Sequence, residues 1–229
     1  IADARPRFGG ARIHPVLLKS GWPVGFGRVH RLWKQEHLQV PRRQRQRRRL
    51  PGHSGHGCVH HRATGRNHVW SHAFLTERTE DSRPLKILAV LDAFTRECLT
   101  TEAAWSFTSR DVMGTLQYLF AVRGAPQHRR SANGPEFVAQ AIQRWLKRSE
   151  VNTQYIHKGS PWENGYVVSL NGKLRDECLN ETLFGTLRGA RKTLEEWQED
   201  YNWRRPHSAL GNLTPMEFLQ RKAMDKMAA

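Results

Sequence analysis

The segment HRRSANGPEF, residues 128–137, has the pattern of a strand end, a tight turn and the start of a helix. Its Asn-Gly-Pro sequence supplies the turn, and an apolar-periodic run begins at Phe137. Loops that follow rigid strands often carry catalytic residues, and a carboxylate is common there. The residue in that position is Ala132, which can neither bind a metal ion nor transfer a proton. The segment is therefore either part of an active site that lacks its catalytic carboxylate or a turn with a purely structural role.

Residues 51–68 form a second group whose side chains can bind metals. They include five histidines and one cysteine, namely His53, His56, Cys58, His60, His61 and His68. Tetrahedral zinc sites normally use two well-separated ligand pairs, and no second pair follows at a suitable spacing. Gly52, Gly55 and Gly57 in the same stretch favour a flexible connector. We therefore expect no metal site in this segment.

The positive charge of the chain is concentrated at one end. The formal net charge is +16, and residues 1–68 hold 15 Lys and Arg against only two acids, Asp3 and Glu36. The remaining residues hold 22 basic and 19 acidic side chains. A basic head on a nearly neutral body favours a polyanionic partner, with nucleic acid preferred to a membrane. No apolar run is long enough for a membrane span, and no signal peptide opens the chain.

Residues 5–40 contain two short helical patterns separated by a Gly- and Pro-rich break. Apolar residues recur at helical spacing in each pattern, at Ile13, Val16 and Leu17 and at Val29, Leu32 and Trp33. Cations occupy the other faces of the second pattern, at Arg28, Arg31 and Lys34. This arrangement is typical of a helix-turn-helix that presents its second helix to DNA. An ordinary helical hairpin with a solvated face has the same pattern.

Six arginines follow within residues 42–49, at Arg42, Arg43, Arg45, Arg47, Arg48 and Arg49. Like charges at this density keep a segment extended unless it has a partner. Beside a phosphate backbone, each neutralised charge releases counterions and makes binding salt-dependent. We interpret the run as a DNA-contacting linker, and the alternative is a solvated or localisation-type basic stretch.

The pattern changes from residue 69 onward. Strands are expected over residues 68–78, 85–99 and 100–107, directly before Ala132, and over 152–157. Helices are expected over residues 109–124, 135–151, 160–180 and 193–210. This order predicts an α/β fold, a ribonuclease-H-like mixed sheet flanked by helices, preceded by the small helix-turn-helix segment.

Several motifs in fixed order resemble the integrase core of bacterial insertion-sequence transposases, within the retroviral-integrase superfamily. They are HVWSHAFL, LDAFTRECL, SANGPEFV, GSPWENGYVVSLNGKLRDECLN and YNWRRPHSALGNLTPMEF. The resemblance is strongest to the family of insertion sequence three and runs from about Arg5 to Leu219. The head of that family, a helix-turn-helix followed by a basic linker, matches residues 5–50.

The resemblance implies a catalytic triad of Asp, Asp and Glu that holds two Mg²⁺ ions. Two such ions stabilise the attacking and leaving oxygens of a phosphodiester displacement. The matching positions here hold Ala73 in WSHAF, Ala132 in SANGPEF and Val168 in ENGYVVSLNG. Thirty-five residues separate Ala132 from Val168, the interval typical of the family, and 58 separate Ala73 from Ala132. The frame of the site is therefore expected to remain while its metal ligands, and with them the Mg²⁺ cofactor, are absent.

Three nearby acids are candidate substitute ligands: Asp92, which the resemblance places near position 73, Glu163 and Glu136. Glu136 is better explained as stabilising the N-terminus of its own helix. On the helix that carries Val168, we expect Lys173 and Arg175 to be exposed and to contact DNA.

We expect four regions: a DNA-binding segment at 1–40, a basic linker at 41–68, an integrase-core-like domain at 69–222 and a tail at 223–229. Three functions stay open. The chain is a DNA-binding transposase relative that does not cut, an active transposase with substitute ligands, or a non-catalytic adaptor or inhibitory subunit. Expected partners are element-end DNA and further copies or active transposase subunits. The odd number of cysteines argues against a disulfide framework, and we expect a bacterial, cytoplasmic and nucleoid-associated location.

Overall fold

The computed structural model describes residues 1–40, 62–157 and 161–227 of the 229-residue chain. These residues belong to two compact units, described separately below. The strands are β1 (Val69–Arg78), β2 (Pro84–Asp92), β3 (Cys98–Ala104), β4 (His128–Ser131) and β5 (Asn152–Tyr155). The helices are α1 (Gly10–Lys19), α2 (Phe26–Gln35), α3 (Ser109–Arg123), α4 (Pro135–Val138), α5 (Gln140–Arg148), α6 (Gly165–Glu177), α7 (Leu187–Trp203) and α8 (Pro215–Met227). None of the helices in these ranges is long and apolar enough to cross a membrane.

The smaller unit consists of the N-terminal helices together with residues 205–214. α1 and α2 pack through a small core of Phe8, Ile13 and Val29, and Leu17 and Trp33 lie at its edge. The two predicted helical patterns are therefore both helices. Leu32, which the pattern placed inward, is instead half exposed, because a two-helix core is too narrow to cover it.

The larger unit is a five-stranded mixed sheet in the order β3-β2-β1-β4-β5. β1 pairs antiparallel with β2, and β2 with β3, whereas β1, β4 and β5 run parallel. Helices cover both faces of this sheet. α6 and α7 pack on one face against residues such as Leu75 and Ile87, and α3 and α5 pack on the other against Trp70 and Leu88. The predicted α/β class is thus confirmed.

The expected second strand over residues 85–99 was wrong at its end. β2 stops at Asp92, and Cys98 and Leu99 begin β3 instead. The Asp92 carboxylate accepts hydrogen bonds from the backbone N–H groups of Phe94 and Thr95, which closes a tight turn. This side-chain turn interrupts an otherwise continuous apolar run.

Several helices also differ from expectation. The helix expected over residues 193–210 is α7, which runs from Leu187 to Trp203. The single helix expected over residues 135–151 divides into α4 and α5, since the backbone of Ala139 is extended (ψ 138°). α8, for which no helix was expected, continues to Met227 and includes part of the segment assigned to a tail. α3 ends as expected at Gly124, which has a positive φ of 83° that favours glycine.

Candidate functional site

The ends of two parallel strands bring Ala73 and Ala132 together. The last residue pair between β1 and β4 is His72 with Ser131, and the two alanines directly follow it. Neighbouring strands lie about 5 Å apart, so the two positions are adjacent. Both side chains are partly buried: Ala73 packs against the apolar cluster under α6 and α7, and Ala132 packs against the cluster under α3 and α5.

α6 supplies the third position. The Asn164 side chain, directly before α6, donates a hydrogen bond of 3.1 Å to the carbonyl oxygen of His72. This bond anchors the start of α6 beside the residue that precedes Ala73. Val168 lies one helical turn beyond Asn164 on the same face and is 45% exposed. The three predicted positions therefore lie around the point where the β1–β4 ladder ends.

The turn after β4 is held by a second side-chain amide. Asn133 Nδ2 donates to the carbonyl oxygen of Ile156, and Ile156 N donates to the carbonyl oxygen of Ser131. These bonds tie the turn that carries Ala132 to the end of β5. Neither this contact nor the Asn164 bond requires a carboxylate or a metal.

The residues at this convergence do not fit two Mg²⁺ ions. Mg²⁺ requires near-octahedral oxygen coordination, usually including carboxylates. Ala73, Ala132 and Val168 carry only hydrocarbon side chains. Within residues 1–40, 62–157 and 161–227, no cluster of three or more His, Cys, Asp or Glu is placed to hold a metal ion.

Asp92, placed near position 73 by the resemblance, lies elsewhere. It pairs with Trp70 across the β1–β2 ladder, whereas Ala73 pairs with Ala89. Three residues along a strand correspond to about 10 Å. The carboxylate also accepts from the backbone N–H of Asn67 at 2.8 Å, in addition to its turn-closing bonds. The expectation was wrong, because Asp92 lies at the end of this ladder, three residue pairs from Ala73, and closes a turn there.

The other two acids are also engaged. The buried Glu163 carboxylate accepts the backbone N–H of His157 at 2.8 Å and lies 2.9 Å from its ring Nδ1. Glu136 forms an ion pair with Lys86 of β2. Both carboxylates therefore connect neighbouring elements of the fold.

A buried pair of basic side chains lies on the face of the sheet that α3 and α5 cover, against Phe137, and sequence reasoning missed it. Arg129 Nε donates a hydrogen bond of 2.5 Å to His72 Nε2, and both residues are only 1% exposed. Burial, followed by the nearby Arg129 charge, holds the pKa of His72 well below its ordinary value. Burial also lowers the pKa of Arg129 to about 10, an effect that the Tyr155 hydroxyl opposes. His72 is thus a neutral acceptor for a guanidinium that stays charged at neutral pH.

A signal for this pair was present in the sequence. The segment HRRS places two consecutive arginines in β4, which lies inside the sheet between β1 and β5. Because side chains alternate between faces, both faces of β4 receive an arginine, and both faces are covered. Arg130 is accordingly buried as well, and it donates to Gln154.

The predicted DNA-contacting cations fall into three groups. Arg28, Arg31 and Lys34 are all exposed on α2. Lys173 and Arg175, expected to be exposed, are half-buried: Lys173 Nζ lies 5.7 Å from the Tyr201 ring centroid, and Arg175 donates to the carbonyl oxygen of Thr76. Long side chains on α6 cover the neighbouring protein surface, which explains the difference. The arginines at 42–49, and the histidines and cysteine of 51–68 except His68, lie outside the described residues.

Comparison with known proteins gives the family context of this site. Two integrase core domain models match, over residues 63–161 and 149–215. The uncharacterized 31.7 kDa protein of insertion element IS407 from Burkholderia multivorans is 35% identical over 226 residues, covering 95% of this chain and 77% of that protein. The transposase of insertion sequence element IS904 from Lactococcus lactis is 24% identical over 232 residues, covering 94% and 88%.

A solved structure shows the same fold. A chain of the simian T-cell lymphotropic virus intasome, determined in complex with the PP2A regulatory subunit B56 gamma, superposes with a TM-score of 0.61 at 16% identity. The match covers 89% of this chain and 73% of that chain. The predicted ribonuclease-H-like architecture of the larger unit is therefore confirmed.

Proposed function

The chain belongs to the bacterial insertion-sequence transposases of the retroviral-integrase superfamily, and from this membership we propose that it binds element-end DNA without cutting it. The observation that carries the proposal is the convergence of Ala73, Ala132 and Val168. These positions match the carboxylates of the family motif, and all three are apolar.

Loss of cleavage follows from the chemistry of the reaction. Phosphodiester displacement builds negative charge on the attacking and leaving oxygens, and metal ions normally stabilise it. Without oxygen ligands at the three positions, these residues have no means of holding such ions. The effects on rate of removing residues that act as one catalytic unit are strongly non-additive. Absence of all three carboxylates is therefore expected to abolish metal-dependent cleavage.

An active enzyme with substitute ligands is the less favoured alternative. It requires Asp92, Glu163 or Glu136 to turn toward the three positions. Each of these carboxylates instead closes a turn, holds His157 or pairs with Lys86. Release of any one of them breaks contacts that position the fold.

The positive charge of the N-terminal residues supports the proposal that the chain binds DNA. We propose that residues 1–40 form the DNA-contacting segment, with Arg28, Arg31 and Lys34 facing the phosphate backbone from α2. The arginines of residues 42–49 extend the same contact in this proposal. The 69–222 region then serves as a scaffold that associates with further copies of the chain or with active transposase subunits.

A nicking assay tests the loss of catalysis. Element-end DNA, cloned from the sequence flanking the coding region, is incubated with Mg²⁺ or Mn²⁺ and the unchanged protein. Two variants are compared with it: Ala73→Asp/Ala132→Asp/Val168→Glu, and Ala73→Asn/Ala132→Asn/Val168→Gln, which matches the first in size without its charge. We expect the unchanged protein and the amide variant not to cut. Nicking by the unchanged protein contradicts the proposal.

A binding assay tests the DNA interface separately. Replacement of Arg28, Arg31 and Lys34 by Gln should make the negative slope of log affinity against log salt concentration shallower by about three. Each phosphate contact in duplex DNA contributes about 0.9 to that slope. The matched control replaces three exposed cations of α7 and α8, Arg188, Lys192 and Arg221, by Gln. An equal change of slope in both variants places the interface elsewhere.

A further inference from the structure

The first turn of α2 presents an aromatic side chain to solvent. Phe26 begins this helix and is 47% exposed, whereas Val29 of the same turn is buried in the core of the smaller unit. The Phe26 ring nevertheless has defined neighbours, because its centroid lies 5.7 Å from the His14 ring and 5.8 Å from the His30 ring. His14 is itself anchored, with Nε2 2.9 Å from the carbonyl oxygen of Val24. Phe26 is thus held in place while half of its surface stays accessible.

The exposed ring lies on a cationic side of α2. Phe26, His30 and Lys34 recur every four residues and therefore form one stripe along the helix. Lys34 and the neighbouring Arg31 are exposed. Because duplex DNA is a polyanion, these cations attract phosphates to the side of α2 that carries Phe26. The charge of the helix thus favours DNA as the partner that covers this ring.

Gly27, directly after Phe26, is not required by the fold around it. A Cβ atom built at this position meets no other atom within 4 Å in the described part of the chain, and Gly27 is not among the glycines with positive φ. Glycine is a poorer helix former than alanine, so its presence here is unfavourable for α2 itself. A glycine at an exposed helical position does allow a large ligand to approach the backbone closely.

We propose that Phe26 contacts the methyl group of a thymine in the major groove and thereby helps to determine which DNA sequence the chain prefers. The inference rests on the proposed function, because it takes α2 as the helix that faces DNA. The N-terminal residues of a helix placed in the major groove reach the base edges, and the thymine methyl is an apolar group there that phenylalanine can contact. Phosphate contacts from Arg31 and Lys34 carry no sequence information. Phe26 therefore supplies a discrimination that the cations do not.

The first test compares sequence preference in the full chain. Fluorescence anisotropy measures the affinity for element-end duplex and for a scrambled duplex of equal length and composition. The unchanged protein is compared with Phe26→Ala and with Leu32→Ala. Leu32 is a matched control because it is 48% exposed on the same helix but lies about 200° around it from His30.

We expect Phe26→Ala to lower the ratio of the two affinities by about fourfold or more, the factor that burial of one methyl group contributes. The salt dependence of binding should not change, since no charge is removed. Leu32→Ala should leave both quantities as they are. If the unchanged protein prefers element-end DNA and Phe26→Ala retains the whole preference, only this inference fails. If the unchanged protein binds neither duplex, the proposed function fails and the inference falls with it.

The second test identifies the group on the DNA. Thymines of the element-end duplex are replaced one at a time by deoxyuridine, which removes only the methyl group. We expect at least one replacement to weaken binding of the unchanged protein by about fourfold and to have no further effect on Phe26→Ala. If every replacement weakens binding by both proteins equally, Phe26 contacts no thymine methyl and the inference is overturned.

A third variant covers the case in which Phe26→Ala unfolds the smaller unit. Gly27→Ala places a methyl group where the helix approaches the DNA, and Gly114→Ala on α3 is the matched control at an exposed glycine that is equally open. Neither change should lower the melting temperature, because alanine is the better helix former. We expect only Gly27→Ala to weaken binding to element-end DNA. Equal affinity of the two variants contradicts the close approach of α2 on which the inference depends.

Discussion

Replacement of His72 by glutamine should make the protein less sensitive to acid. The His72 ring is fully buried and accepts a hydrogen bond from Arg129 through Nε2, so the ring must be unprotonated on that atom. Protonation places a second positive charge beside Arg129. A glutamine side-chain oxygen is able to accept the same bond and does not titrate.

The sign and size of the effect follow from linkage. Burial first, and the charge of Arg129 second, lower the pKa of folded His72 well below 6.5. In the unfolded chain, His72 binds a proton as the pH falls through 6.5, while the folded state does not. Stability is therefore fully present above pH 6.5 and falls below it by about 1.4 kcal/mol per pH unit. Between pH 6.5 and pH 5 the loss is therefore at most about 2 kcal/mol.

Urea unfolding followed by far-ultraviolet circular dichroism at several values between pH 5 and 7.5 measures this loss. Carboxylates also titrate near the lower limit, so the informative quantity is the difference between the unchanged protein and His72→Gln. Exposed His30→Gln on α2 is the matched control. If the unchanged protein and His72→Gln lose equal stability over this range, a neutral buried His72 is not the cause and the reasoning is refuted.

Three further substitutions test the packing of the larger unit, each by urea unfolding. Thr108→Ala removes the capping box at the start of α3 and should cost about 1 kcal/mol. Asn202→Ala leaves the buried backbone N–H and carbonyl of Cys98 without their side-chain partner and should cost about 1–3 kcal/mol. Leu116→Ala opens a cavity under α3 and should cost about 2–5 kcal/mol, whereas Leu183→Ala at an exposed position should change stability by less than about 0.5 kcal/mol. A cost for Leu183→Ala equal to that for Leu116→Ala contradicts this core assignment.

Hydrophobic periodicity correctly predicted the helices that have one continuous apolar face. The apolar spacing of Val112, Leu116 and Leu119 places them on one face of α3, and all three are buried there. Gly124 after this run correctly predicted the end of the helix. The buried face of such a helix can be predicted from the spacing of its own apolar residues, without knowing which residues of the sheet pack against it.

The differences arise where a polar side chain bonds to the backbone or where a distant element decides burial. Apolar residues on both sides of Asp92 suggested one strand, but its carboxylate closes a turn within the run. Arg129 is buried only because β4 lies between β1 and β5, a placement set by strand order rather than by local pattern. The half-burial of Lys173 and Arg175 on α6 was also not predictable from local pattern, since it depends on how the helix packs against α7 and β1.

The elements that carry Ala73, Ala132 and Val168 are held together by neutral groups. Asn164 binds the carbonyl of His72, Asn133 binds the carbonyl of Ile156, and the β1–β4 ladder brings Ala73 beside Ala132. None of these contacts uses a carboxylate or requires a cation, so substitution of the three acids need not disturb the elements that carry them. Converging carboxylates without metal repel one another, and apolar side chains remove that repulsion. The scaffold therefore does not depend on the three acids, which is the physical basis for the proposal that this transposase relative retains its architecture without cutting DNA.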